Sequence, residues 1–210
     1  LKLKLGTPAD WQSDVDRALA ARDKVGRNIS LVADANGIYN RRVALQVIQG
    51  VREARLDHFE QPVNGNDIEG MAWLSAKSDT PIAADESLQT LGDAYEISRA
   101  NAASAMVLKL IKHGGLYRSR QIAHFCRARG LPVAVSGGTE LSFGRAAMVH
   151  LHATIPNAAG AVELVEVISG DIAENPMALA PTLPVSDQPG LGITIDENKL
   201  EQASVKVHGG

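Results

Sequence analysis

The segment ISLVAD, residues 29–34, with Asn36 two positions on, decides how the chain is read. Its run Ile29–Ala33 is mostly apolar and stops abruptly in the carboxylate of Asp34. A short run with no polar alternation fits a strand covered on both faces, as in a parallel sheet. The same phrase recurs along the chain. Leu56 and His58–Phe59 lead to Glu60, Ile82–Ala84 to Asp85, Ala105–Leu108 to Lys109, and Val133–Val135 to Ser136–Glu140. Leu1–Leu5 and Ala161–Leu164 complete a set of seven runs, the first carrying Lys2 and Lys4 and the last Glu163.

Helix-like stretches separate the runs: Asp10–Lys24, Arg41–Arg55, Ile68–Ser78, Leu91–Ala100, Leu116–Arg129 and Leu141–Thr154. In Arg41–Arg55 the residues Val43, Ala44, Val47, Ile48 and Val51 recur at spacings of three and four, one face of a helix. Gly130 and Pro132 mark a helix stop before the sixth run. Strand and helix in alternation predict an α/β fold with a parallel sheet and right-handed crossovers. Seven strands fall one short of a closed barrel. Either the sheet is open or one strand lies outside the sequence, and because the chain opens inside a strand pattern the favoured expectation is a strand before residue 1. Residues 169–210 change character, with Pro176, Pro181, Pro184 and Pro189 and short strands expected at Gly192–Ile195 and Ser204–Val207.

With 210 residues the chain suits one large domain. Its 45% hydrophobic content excludes a disordered chain and supplies a core. A net charge of -3 leaves no basic excess for nucleic acid or an anionic membrane. No apolar run approaches a membrane span, and no signal peptide opens the sequence. The single cysteine, Cys126, cannot form an internal disulfide, which points to a reducing, cytoplasmic setting. It reads as a core residue, and His150 and His152, two apart on a helix, do not read as a metal pair.

The chemistry gathers where the runs end. The steps from Asp34 to Glu60, Asp85 and Lys109 are 26, 25 and 24 residues, so these groups emerge at one mouth of the sheet. Singly, each reads as a solvated loop charge. Together, three carboxylates on neighbouring strands repel one another unless a cation neutralises them. An oxygen-only donor set selects a hard ion, Mg2+ first and Mn2+ second, over zinc. Lys2 and Lys4 lie on one face of their strand. A second ammonium and a nearby divalent ion would disfavour the protonated form of Lys4, as a general base requires.

The strings LKLKLG, VADANG, FEQPV, AADES, VLKLIKHGG and SGGTELSFGRAA resemble, in order and spacing, the catalytic barrel of the enolase superfamily. More narrowly, they resemble the mandelate racemase/muconate lactonizing enzyme group. The resemblance covers residues 1 to about 165. It implies a modified TIM-type (β/α)7β barrel with its first strand and most of a capping domain outside the chain. Residues 1–168 would be the catalytic barrel and 169–210 a segment returning to the cap. It further implies that Lys4 is the base, supported by Lys2, and that Lys109 acts on the opposite face of the substrate. Asp34, Glu60 and Asp85 would hold the metal. Asn36, Glu86, Gly138, Thr139 and Glu163 would stand near the metal or the substrate. The last run lacks the Asp-x-Asp of the dipeptide epimerases, which lowers that reading.

The implied reaction is Mg-dependent removal of a proton next to a carboxylate through an enediolate. Racemisation, epimerisation or a muconate-type cycloisomerisation is preferred, making the chain an isomerase. Dehydration of an acid sugar or hydroxy acid is the alternative within the superfamily. A small carboxylate is the expected partner and a homo-oligomer the expected assembly. Two other readings stand beside it. A Schiff-base aldolase would use Lys109 but leave the carboxylates unexplained. A metal-binding barrel fragment without turnover would explain the carboxylates alone. Nucleotide binding lacks both glycine-rich phosphate motifs.

Overall fold

The structure is a computed structural model that describes residues 1–6, 10–164, 169–178 and 180–204. Six strands, all parallel, form one sheet in chain order: β1 (Lys2–Lys4), β2 (Val32–Asp34), β3 (Phe59–Glu60), β4 (Ile82–Ala84), β5 (Ala105–Leu108) and β6 (Val133–Val135). The crossovers are α1 (Trp11–Val25), α2 (Arg41–Gly50), α3 (Ile68–Ser75), α4 (Leu91–Arg99), then the short α5 (Leu110–His113) followed by α6 (Leu116–Ala128). After β6 come α7 (Ser142–Ala153) and, in the tail, α8 (Glu197–Ala203).

Local chemistry sets the helix starts. The side chains of Asp10, Asn40 and Asp67 accept from backbone N–H groups in the first turns of α1, α2 and α3. Thr90 and Asp93 form a reciprocal capping box on α4. The outward side chains of the strands meet the helices: Phe59, Ile82, Met106 and Leu108 are fully buried there beside Val47, Leu74 and Ile97. Each such side chain contributes roughly 1.5–3 kcal/mol by leaving water. Below the mouth, Ala83, Val107 and Ala134 form a small apolar plug on the inward face, with Ala105 packed against it.

The sheet curls. In a flat sheet six strand spacings would put β1 about 29 Å from the seventh run. Instead Lys2 Nζ on β1 donates to Glu163 Oε2 of that run at 3.0 Å. The result is a curled parallel half-barrel with inward side chains converging on its axis.

Three expectations need correction. The seventh run is not a full strand: it runs beside β6 through the isolated parallel bridges Val133–Ala158 and Ser136–Glu163. Glu163 donates to Val135 O and accepts from Gly137 N, both at 2.9 Å. Among the described residues it has a ladder neighbour on one side only, so a strand pattern shrinks to bridges. The helix expected over Arg41–Arg55 ends at Gly50, followed by a 3-10 turn over Arg52–Ala54 and a left-handed Arg55 (φ 48°). The turn swings the chain into β3, and the Arg22 guanidinium takes up the carbonyls of Ala54 (2.7 Å) and Arg55 (3.2 Å). The helix expected to reach Ser78 stops at Ser75, because Ser78 Oγ ties its own turn to Thr80 ahead of Pro81.

In the tail, Gly192–Ile195 contributes one antiparallel bridge, Ile195 with Ala173, rather than a strand. Ser204 caps α8, and Val205–Val207 lie outside the described residues. Asp171 docks the tail on the barrel by accepting from the N–H and hydroxyl of Ser142 at the start of α7 (2.8 and 2.7 Å). No helix of the described residues is long and apolar enough to cross a membrane.

Candidate active site

Parallel register levels the first three strand ends: Lys4 pairs with Asp34, and Asp34 with Glu60. Glu60 pairs with Ala83, which places Asp85 two residues further toward the mouth, just beyond β4 and on the same inward face. Asp34, Glu60 and Asp85 are all fully buried, and one oxygen of each lies within 4.8 Å of the others. The sequence-expected carboxylates therefore form one group. Among the described residues no other acidic, histidine or cysteine cluster could hold an ion.

Four ammonium groups surround them. Lys2 Nζ donates to both oxygens of Glu60 (2.8 and 2.7 Å) and to Glu163, and lies 3.3 Å from Asp34 Oδ2. Lys4 Nζ donates to Asp34 Oδ2 (2.5 Å) and to Asn36 Oδ1 (3.0 Å). Lys109, directly after β5, pairs with Asp85 Oδ2. Lys112 on α5 pairs with Asp85 Oδ1 and donates to the Asp85 carbonyl at 2.5 Å. The two lysines of β1 differ in exposure: the side chain of Lys2 is 19% exposed and that of Lys4 61%.

The protonation states follow from this arrangement. Burial raises the Asp34 carboxyl, but Lys2, Lys4 and the Asn36 N–H outweigh it and hold Asp34 down to about 2. Burial likewise opposes ionisation of Asp85, and Lys112 and Lys109 keep it below the usual carboxylate range. Glu60 goes the other way. Burial, with the charges of Asp34 and Asp85 added, pushes it up to about 7 against the pull of His58 and Lys2. Burial works against the Lys2 ammonium, yet Glu60, Glu163 and Asp34 hold it above the ordinary lysine range. Lys109 is raised in the same way, by Asp85 against burial, whereas burial prevails at Lys112 and lowers it.

The remaining expected residues divide. Asn36 links the group to Glu86: its N–H donates to Asp34 Oδ1 and its Nδ2 to Glu86 Oε1, both at 2.9 Å. Glu163 joins through Lys2. Gly138 and Thr139 lie in the turn after β6, where the Gly138 N–H donates to Glu140 at 2.6 Å, and neither bonds a triad carboxylate. Cys126 is fully buried, and burial pushes its thiol up to about 12, as a core residue rather than a nucleophile.

Sequence reasoning missed Lys112 and Gln61. Lys112 follows Lys109 by three residues, one helical turn, which was the available signal. Gln61 is fully buried beside Glu60, and its amide bonds the backbone around Asp85. Nothing in a neutral glutamine next to Pro62 marks it out.

The donor set fits a divalent hard cation. It is oxygen only, fully buried and concentrated, and Glu60 remains raised although Lys2 donates to both of its oxygens. Among the described residues, buried Glu86 Oε2 beside the group also lacks a hydrogen-bond partner.

Residues 1–199 match the model of a protein family described as enolase C-terminal domain-like. An N-succinyl-L-Arg/Lys racemase of Bacillus cereus is 32% identical over 207 residues, 97% of this chain and 55% of that protein. Muconate cycloisomerase 1 of Acinetobacter baylyi is 32% identical over 206 residues, 96% of this chain and 55% of its own length. The crystal structure of a muconate cycloisomerase from Pseudomonas fluorescens superposes with a TM-score of 0.90 at 31% identity, covering 96% of this chain and 56% of that one. The chain thus spans about half the length of the relatives it matches.

Proposed function

Because the chain belongs to the enolase C-terminal domain-like family, we propose that its barrel exchanges a proton on the carbon next to a substrate carboxylate, as an isomerase. The observation that carries this reading is the buried Asp34–Glu60–Asp85 group with lysines on both sides of it. These carboxylates would hold a Mg2+ ion, with Mn2+ as a substitute. When bound, the ion supplies positive charge where the substrate carboxylate gains negative charge.

The lysines divide the remaining work. Lys2, held protonated by three carboxylates, supplies fixed positive charge and keeps Glu60 and Asp34 in place. Lys4, the exposed one, is free to leave Asp34 and take the proton on one face of the substrate. Lys109 directly follows β5, with three strands between it and β1, and holds or returns a proton on the other face. Asn36 tethers Lys4 and orients Glu86 beside it. Glu163, Gly138 and Thr139 would border the substrate at the far side of the mouth. The dividing line between barrel and cap segment is proposed at residues 168 and 169.

Two bases on opposite faces suit racemisation or epimerisation. Cycloisomerisation is the second reading, supported by the muconate cycloisomerase relatives, and needs one base with the other lysine as a charged partner. Dehydration of a hydroxy acid ranks below both. The aldolase reading loses ground, because a lysine raised by Asp85 is a poor amine nucleophile. A barrel that binds metal without turnover is the outcome if exchange fails. A small carboxylate is the proposed substrate, a homo-oligomer the proposed assembly and the cytoplasm the proposed setting.

Solvent deuterium exchange into a racemising substrate tests the reading. Lys4→Ala should stop exchange from one enantiomer and Lys109→Ala from the other. Unchanged turnover and exchange in Lys109→Ala would overturn the two-base scheme.

A further inference from the structure

The three acidic turns share one residue. Gln61 follows Glu60 directly, and its main-chain carbonyl accepts from Gly37 N–H at 2.8 Å, which ties in the turn after Asp34. Its side-chain Oε1 accepts from the N–H groups of Asp85 (3.0 Å) and Ser87 (3.1 Å). Its Nε2 donates to Val63 O at 2.8 Å and lies 2.8 Å from Ser87 Oγ. The residue is fully buried and left-handed, at φ 37°, a conformation that costs energy for a long side chain. A strained, buried amide with its oxygen and nitrogen both engaged is maintained by what it holds.

We infer that Gln61 is the positioning residue that fixes the spacing of Asp34, Glu60 and Asp85, acting through the backbone of all three turns. It touches no carboxylate of the group through its own side chain. Its amide instead sets where the Asp85 backbone leaves β4, and with it the direction of the Asp85 side chain. The inference rests on the proposed metal site, since spacing matters there because one ion must meet three oxygens.

Gln61→Asn is the variant of choice. Asparagine tolerates the left-handed backbone better, but its amide falls one C–C bond, ~1.5 Å, short of Asp85 N–H. The measurement is titration calorimetry of the protein with Mg2+ and with Mn2+ alone. The expected result is affinity weakened about 10–100-fold in Gln61→Asn, with thermal unfolding still cooperative. Turnover should recover as the metal concentration rises, which a general loss of structure would not allow. Unchanged affinity in a folded Gln61→Asn overturns the inference. If that variant does not fold, Gln61→Met decides, since it keeps the side-chain length and removes the amide that meets Asp85 N–H: weaker binding supports the inference and unchanged binding overturns it. If the unmutated protein binds neither ion, it is the metal reading that fails.

Discussion

The two faces of the same six strands are built on opposite principles. Outward, Phe59, Ile82, Met106 and Leu108 are buried among helices, where leaving water favours folding. Inward, at the ends of three of these strands, Asp34, Glu60 and Asp85 are just as buried but ionisable and crowded. Desolvation of charges opposes folding even when they are paired. The outer face therefore supplies the stability that the inner face consumes, and the strand period of two keeps the tasks apart. Substitutions on one face should move one property and largely spare the other.

The largest effect expected from this contrast is on turnover. Lys4→Ala should lower kcat by about 10²–10⁴-fold, the usual worth of a positioned general base. Its side chain is mostly exposed, so the unfolding midpoint should hardly move. A loss of stability comparable to the loss of rate would blur the contrast. On the other face, Phe59→Ala should cost about 3–5 kcal/mol in denaturant unfolding. The residue adjoins Glu60, so metal affinity measured in the surviving folded fraction tests whether the faces are separable.

Asp34→Asn gives the sharper, smaller test. It removes one of three crowded charges while leaving an amide of similar shape, so divalent-ion binding should collapse. Stability should fall by far less than in Phe59→Ala. Because Lys2 and Lys4 both pair with Asp34, some cost is expected from leaving them without it.

The smallest effect is a pH dependence with two opposing windows, measured by unfolding of the metal-free protein. Glu60 titrates at about 7 in the fold against an ordinary 4.5, so folding retains a proton between those values. That contribution makes stability fall as pH rises from about 4.5 to 7. Asp34, held down to about 2 from 3.8, contributes stability that is lost as pH drops through that lower window. Glu60→Gln should flatten the upper window and leave the lower one. An unchanged upper window would show that Glu60 does not carry it.

The same alternation explains what could be read without a structure. Runs ending in Asp34, Glu60, Asp85 and Lys109 announce strands and mouth together, because a parallel sheet puts all its strand ends on one side. The sequence pattern weakens where tertiary contacts decide. Ala161–Leu164 has a strand's composition but finds a ladder on one side only among the described residues. The turn that follows α2 is held at Ala54 by a guanidinium 32 residues away, Arg22, which no local pattern contains. Lys112 looks like any helix-surface lysine until α5 turns it onto Asp85. Gln61 carries no charge, so its place among three turns emerges only from its hydrogen bonds.

The central claim is that the inward charged layer is a metal site. It is tested most directly by soaking crystals of the protein in Mn2+ and locating the ion by anomalous scattering. The account predicts one dominant peak, in contact with carboxylate oxygens of Asp34, Glu60 and Asp85 together. A peak at other residues, or none at concentrations that saturate the protein in solution, would contradict it.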